Sequence, residues 1–374
     1  MLQITAPMHG AVLTQQNDRP ASDELAVTVL GTAGVGDPVH VNGVTAVREG
    51  TAFRADISLT QRVTDITATT SGIRGAESHS VRVVCDPNPA KRYGFFIDDH
   101  AFFLHDIWKN RHPSIFDCFY LDKLRAMHRT YGTRFVLNIF FRNDHDEAEP
   151  KFTIDQMPTT YRNEWDDNAD WLKLSFHAQS EFPNRPYQYA APATLAHDYD
   201  TVRAEIARFA SERTFCPPSV IHWAMVSPGC FKVLRERGMR VFAGAFLRTS
   251  SGKLWPQGDD WIRDIGYSVD AERSEYLMRN RRLYDFEHDV MFLKGDVCCN
   301  LQTKAAILER LDSRITNPHC GPFVSLASHE QYSFPFYRGY IPDHFERMET
   351  AVRWCTDHGY APAFHHDAFP AEAE

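Results

Sequence analysis

Eight cysteines occur in the chain, yet none forms a C-x-x-C pair, and even the adjacent Cys298 and Cys299 lack a second pair at zinc-ribbon spacing. A cysteine-built zinc module is thereby excluded, and reduced thiols in the core or beside a site are the simpler reading. No run reaches the roughly 18 to 20 apolar residues of a membrane span, and "MLQITAPMHG" lacks the basic start and apolar core of a secretory signal. The chain as it stands reads as cytoplasmic; a trimmed signal would leave the same start on a secreted or periplasmic protein. Positive charge is not in excess. With 40 Lys and Arg against 49 Asp and Glu, the formal charge of −9 argues against nucleic acid or an anionic membrane as partner. Internal repeats and low-complexity tracts are also missing, and nothing in the sequence sets an oligomeric state.

What is present suffices for more than one core. The chain is 374 residues long, 43% hydrophobic and 13% aromatic, which is too long for one typical domain. Over residues 1 to 85, short alternating segments such as "LAVTVLGTA", "PVHVNGVTA", "AFRADISL" and "SHSVRVVCD" recur between Gly, Asn and Asp turn signals. That is the pattern of an antiparallel β-sandwich, with no place for a helix. The texture resembles the bacterial immunoglobulin-like modules appended to carbohydrate enzymes. "CDPNPAKRYG", residues 85 to 94, reads as a linker, which puts a first domain at 1–88 and a second at 89–374.

In the second part, apolar strand-like runs alternate with amphipathic helical stretches: "GFFIDD", "FDCFYLDKLRAMHRTYG", "RFVLNIFF", "WLKLSFH", "SVIHWAM", "VMFLKGD", "KAAILERLDSR", "FVSLASHE", "HFERMETAVRWCTDHG". Repeated β-then-α order predicts a parallel sheet, and seven or eight strands suggest a closed (β/α) barrel, with a doubly wound open sheet as the alternative. The fold class expected is therefore multi-domain: an all-β immunoglobulin-like sandwich followed by an α/β barrel.

In such a barrel the carboxyl ends of the strands face the active-site mouth. Asp98 and Asp99 close the first strand, His177 closes "WLKLSFH", His222 ends "SVIH", Asp296 ends "VMFLKGD" and His329 ends "FVSLASH". Each alone is an ordinary polar strand end; their coincidence points to a site. "SFHAQSEFP" sets His177 and Glu181 four residues apart, where an imidazole and a carboxylate can converge on one cation, and Asp99 would complete three ligands. Asp296 reads equally as a charge partner of His329 or as structural. "FHHD" at 364–367 follows the last strand and reads as a solvated tail or as lining the same mouth, and "NDHDEAE" at 143–149 reads as a solvated loop. Trp165, Trp223, Trp255 and Tyr332 fall in predicted loops over the mouth, where rings can stack on sugars or simply pack.

"FFIDDH", "SFHAQSE", "VIHWAMVSPGCFKVLRERGMRVFAG" and "VSLASHE" resemble, in order and rough separation, the motifs of the polysaccharide deacetylase family, the NodB-homology or family-four carbohydrate esterases. The resemblance covers residues 92 to 367 loosely. It implies a NodB-type barrel, with Asp98 as catalytic base, Asp99 and His177 as metal ligands and His329 as catalytic acid. Glu181 stands where that family has its second metal histidine. The family's third motif holds an arginine that orients the base; here His222 and Trp223 occupy that region, read as substrate-binding, and the arginine is missing. The resemblance implies a divalent cofactor, zinc or else manganese or cobalt, a carbohydrate substrate, and hydrolysis of an acetyl group. A lyase or epimerase on the same barrel, or a non-catalytic carbohydrate-binding relative, stays open beside it.

Overall fold

The structure is a computed structural model that describes residues 1–14, 24–72, 75–86, 89–145, 151–244, 247–248, 262–263, 268–317 and 319–369. Its chain divides into two compact units, one comprising Met1–Ala90 with Arg282–Asp289 and the other Lys91–Arg281 with Val290–Phe369.

The first unit holds two sheets. Strands β1 (Gln3–Ala6), β3 (Leu25–Thr32), β7 (Ala52–Leu59) and β6 (Val47–Glu49) form one in the order β1-β3-β7-β6. The other runs β2-β9-β8-β4-β5, from β2 (Val12–Thr14), β4 (Val39–Val41), β5 (Val44–Thr45), β8 (Val63–Gly72) and β9 (Gly75–Asp86). All pairings are antiparallel except β2 with β9. Alternation explains the strands: on β7, Phe53, Ala55, Ile57 and Leu59 are buried and the residues between them exposed, the period of two that a half-covered sheet requires. Among the described residues of 1–86 there is no helix.

The second unit is built on a parallel sheet that curves as half a barrel. Strand β10 (Arg92–His100) is followed by helices α1 (Phe102–Asn110) and α2 (Phe119–Tyr131) and by β11 (Phe135–Phe140). The short hairpin β12 (Arg142–Asn143) and β13 (Phe152–Thr153) leads to α3 (Arg162–Asp167), β14 (Leu172–Ala178), α4 (Pro192–Phe209) and α5 (Pro228–Glu236). Next come β15 (Val241–Gly244), the pair β16 (Leu247–Arg248) and β17 (Ile262–Arg263), α6 (Ala271–Asn280) and β18 (Arg282–Asp285), which groups with the first unit. The chain closes with β19 (Val290–Lys294), β20 (Val297–Cys298), α7 (Lys304–Ile315), β21 (Phe323–His329), α8 (His344–Asp357) and β22 (Ala361–Ala363). The ladder order is β14-β11-β10-β21-β20, with β22 also on β10, and β15 pairs with β19 apart from it. Isolated backbone bonds extend the curve, from Leu174 to Thr214 and Cys216 to Leu174, Ala243 to Ser219, Gly295 to Gly244 and Asp296 to Ser325.

Strand β10 is central, and its composition shows why. Eight consecutive residues from Tyr93 are buried, an apolar run through Ile97 followed by Asp98, Asp99 and His100, as in a parallel strand covered on both faces. Burying each of Phe95, Phe96 and Ile97 contributes about 1.5–3 kcal/mol. Gly94 is required here, because a Cβ would lie 2.6 Å from the His365 ring and 2.9 Å from Phe323. The run "SVIH" is not a ladder strand: His222–Ala224 forms a 3-10 turn. Trp165, expected over the mouth, is a fully buried α3 residue packed on Phe103 and Phe209. Trp255 lies outside the described residues, as do 146–149 of "NDHDEAE". No helix of the described residues is long and apolar enough to cross a membrane.

Candidate functional site

Adjacent residues on a regular strand point to opposite faces, so Asp98 and Asp99 would ordinarily diverge. A bulge prevents this. On β11 the register passes from Ile97↔Leu137 to His100↔Ile139, leaving Asp98 and Asp99 together opposite Asn138. Asp99 takes up the extra residue at φ +62°, a left-handed conformation that costs a non-glycine residue on the order of 1 kcal/mol and that aspartate tolerates better than most. The two carboxyls then converge on one imidazole: His177 Nε2 lies 3.1 Å from Asp99 Oδ1, and His177 Nδ1 3.9 Å from Asp98 Oδ1.

Each aspartate has its own partners. Asn138 Nδ2 donates to Asp98 Oδ1 at 2.7 Å, and Gln331 Nε2 donates to Asp99 Oδ2 at 2.9 Å. On the other side, Asp98 is in register with His329 of β21. All of these groups except His329 are nine-tenths or more buried. Burial opposes the charge on Asp99, but His329, His177 and His222 outweigh it and hold its carboxyl well below the usual range. Burial also pulls the His177 imidazole down to about 4, so at neutral pH it is an uncharged ring with a lone pair to offer.

The third donor at this point is His222. Its Nδ1 lies 3.3 Å from Asp99 Oδ1 and 3.1 Å from His177 Nε2, and its Nε2 donates to the Glu181 carbonyl at 3.1 Å. That bond fixes the tautomer and leaves Nδ1 bare toward the other two atoms. Trp223 and Ala224, both at positive φ, turn the chain sharply after it. Asp99, His177 and His222 thus form a group able to hold a metal ion. Their donor atoms make a triangle with edges of 3.1, 3.1 and 3.3 Å. Tetrahedral zinc with ligands at about 2.0–2.1 Å requires donor separations of roughly 3.3–3.4 Å, so the residues fit such a cation.

The Glu181 carboxylate lies outside this triangle and is paired with His145, a buried residue of the "NDHDEAE" stretch expected to be solvated. Asp296 faces away from His329: it holds Arg314 through Oδ1 and accepts from the Ser325 N–H at 2.9 Å, a buried structural pair. His365 of "FHHD" is likewise core, bonded to Ser325 Oγ at 2.9 Å.

His329 has Nδ1 on Asn300 Oδ1 at 2.9 Å and Nε2 3.9 Å from Asp99 Oδ2. Because an amide oxygen only accepts, Nδ1 carries a proton, and Nε2 is the nitrogen that faces the aspartates. Cys298 Sγ is 3.7 Å from the same Nδ1. Tyr332 stands beyond, its ring 6.3 Å from His329, and the Tyr337 ring lies 5.5 Å from that of Tyr332. Trp223 is half-buried under the Arg185 guanidinium at 5.5 Å. Sequence reasoning missed Asn138, Gln331 and His145, for none lies at a motif position.

No family model matches the sequence, and no curated protein matches it. Among solved structures, the chain is similar to BA3943, a CE4 family pseudoenzyme from Bacillus anthracis, at 7% identity over 80% of this chain and 82% of that one, with a TM-score of 0.37. A BA3943 mutant described as having restored enzymatic activity gives 8% identity over 80% and 85%, with a TM-score of 0.39. A Bacteroides ovatus GH5 xyloglucanase in complex with a XXXG heptasaccharide gives 10% identity over 96% and 100%, with a TM-score of 0.27. Likenesses this slight support no assignment of fold or activity.

Proposed function

We propose that the protein is a divergent, metal-dependent carbohydrate deacetylase of the NodB-homology type, an immunoglobulin-like module at 1–88 preceding a closed barrel at 89–374. One observation carries the reading: the bulge at Asp98–Asp99 aims both carboxyls at His177, while Asp99, His177 and His222 form a donor triangle of divalent-cation size. The motif resemblance supplies the reaction class.

Asp99, His177 and His222 would hold the cation, zinc by its nitrogen and oxygen donors, in place of the Asp99, His177 and Glu181 set that spacing suggests. When bound, it supplies Lewis acidity toward an acyl carbonyl and toward water. Asp98, anchored through Oδ1 by Asn138, takes the proton of the attacking water. His329, its Nδ1 proton committed to Asn300, delivers a proton from Nε2 to the leaving amine or alcohol. Tyr332, Tyr337 and Trp223 offer ring faces for a sugar at the mouth.

The test is acetate release from acetylated oligosaccharides by zinc-loaded protein. Release that vanishes on chelation and returns with zinc supports the reading. An unsaturated product absorbing in the ultraviolet would instead show a lyase, and sugar affinity with neither product a binding protein.

A further inference from the structure

The residue after His329 has no part in the chemistry above, yet its side chain is fully buried and aimed at the bulge. Glu330 Oε2 accepts from the backbone N–H groups of Ala101 at 2.7 Å and Phe102 at 2.8 Å, and Oε1 from Phe103 at 2.6 Å. These are the first N–H groups of α1, whose own N-cap residue, Ala101, makes no side-chain cap. Helix starts leave such donors unsatisfied unless something caps them; here the cap comes from the residue that follows β21, the strand paired with β10 but far along the chain. It lands two residues beyond Asp99.

The next residue, Gln331, donates to Asp99 itself. Three consecutive residues from the last of β21 onward, His329, Glu330 and Gln331, therefore face the acid–base site, hold the backbone leaving the bulge, and hold the Asp99 carboxylate. A left-handed aspartate relaxes toward an extended conformation unless both its sides are fixed. On one side β10 is paired with β21 up to Asp98. On the other side β11 takes up pairing again at His100, and Glu330 holds the backbone N–H groups of Ala101, Phe102 and Phe103 just beyond it.

We propose that Glu330 is a positioning residue that locks the Asp98–Asp99 bulge, so that Asp99 can meet His177 and His222 on one cation. The proposal rests on the reading of those three residues as a cation site. In Glu330→Gln an amide NH2 replaces one acceptor and opposes a backbone N–H, so the lock opens with almost no change of volume. In Glu330→Asp the carboxyl is one methylene short of its three donors.

The test titrates zinc alone into the metal-free full chain and records the imidazole nitrogen resonances of the same protein without metal. Locking predicts that either variant, while still melting cooperatively, binds zinc at least tenfold more weakly and shifts the His177 and His222 resonances. Wild-type affinity and unmoved resonances, with only a lower Tm, would make Glu330 a helix cap and overturn the proposal. If the wild-type chain takes no zinc, the cation reading fails, and the metal-free resonances alone decide the role of Glu330. Should neither variant fold, amide exchange in the wild type decides: coupling requires zinc to raise protection at Ala101–Phe103, and unchanged protection counts against it.

Discussion

Asn138 Nδ2 reaches Asp98 Oδ1 at 2.7 Å from the neighbouring strand, and Asn138 is the one residue that the bulge sets opposite both aspartates. A neutral amide thus orients Asp98, the proposed base, where the motif resemblance implies an arginine. It steers the carboxylate without adding a cation beside it.

Loss of that amide should show in turnover. A hydrogen bond to a charged group is worth about 1.5–3 kcal/mol, so Asn138→Ala should lower kcat roughly 10- to 100-fold while KM and zinc content stay close to wild type. Steady-state kinetics with elemental analysis checks this; parallel loss of zinc would show that Asn138 supports the whole bulge and not Asp98 alone.

His222 and Glu181 should behave oppositely toward metal. His222→Ala removes a donor 3.3 Å from Asp99 and should leave the dialysed protein without stoichiometric zinc. Glu181→Gln keeps the carbonyl that orients His222 and should retain the ion, with affinity reduced by at most the ~10- to 100-fold typical of outer partners. Metal content after dialysis separates the two, and the reverse pattern would restore the ligand set read from spacing.

Asp98→Asn preserves size and should leave the ion in place while lowering kcat by about 10²- to 10⁴-fold, the usual worth of a general base. His329→Ala should cost most for esters and amides with poor leaving groups, because a good one departs without a proton. Comparing acetyl substrates of graded leaving-group pKa checks both, and equal losses across the series would remove His329 from the acid role.

Acid should destabilise the fold before the carboxylates titrate. His344, between Ser328 and Ser333, and His365, on Ser325, are buried, and burial pulls both imidazoles down to about 3. An unfolded imidazole takes its proton near pH 6.5. Between those values the unfolded state binds more protons, so stability falls as pH is lowered, by up to about 1.4 kcal/mol per pH unit for each histidine. Urea unfolding from pH 7 to pH 4 measures the slope, and His365→Gln or His344→Gln should each make it shallower.

The sheet was legible because its strands are covered on both faces: "GFFIDD" and "RFVLNIFF" can hardly be anything but buried strands. Asp98, Asp99, His177 and His329 were legible for the same reason, as polar residues ending apolar runs. The bulge was not, since Asp99 takes a positive φ without a glycine to announce it. Nor was the placing of His222, in preference to the Glu181 carboxylate, beside Asp99 and His177. Spacing of four suggests convergence only on a helix, whereas the chain after β14 turns away and gives the Glu181 carboxylate to His145. Asp296 read equally as a charge partner of His329 or as structural, and only the fold reveals Arg314 beneath it.

The extra residue at Asp98–Asp99 makes chain length there as consequential as residue type. Removing one residue of the pair would let β10 and β11 resume one-to-one register, and a single carboxyl would be left where two now face His177. Every apolar pair of the sheet would survive such a deletion, so the molecule would still fold and still look complete to an inspection of its remaining histidines. The paired carboxyls can therefore be lost through arithmetic along one strand, with every histidine of the site unchanged.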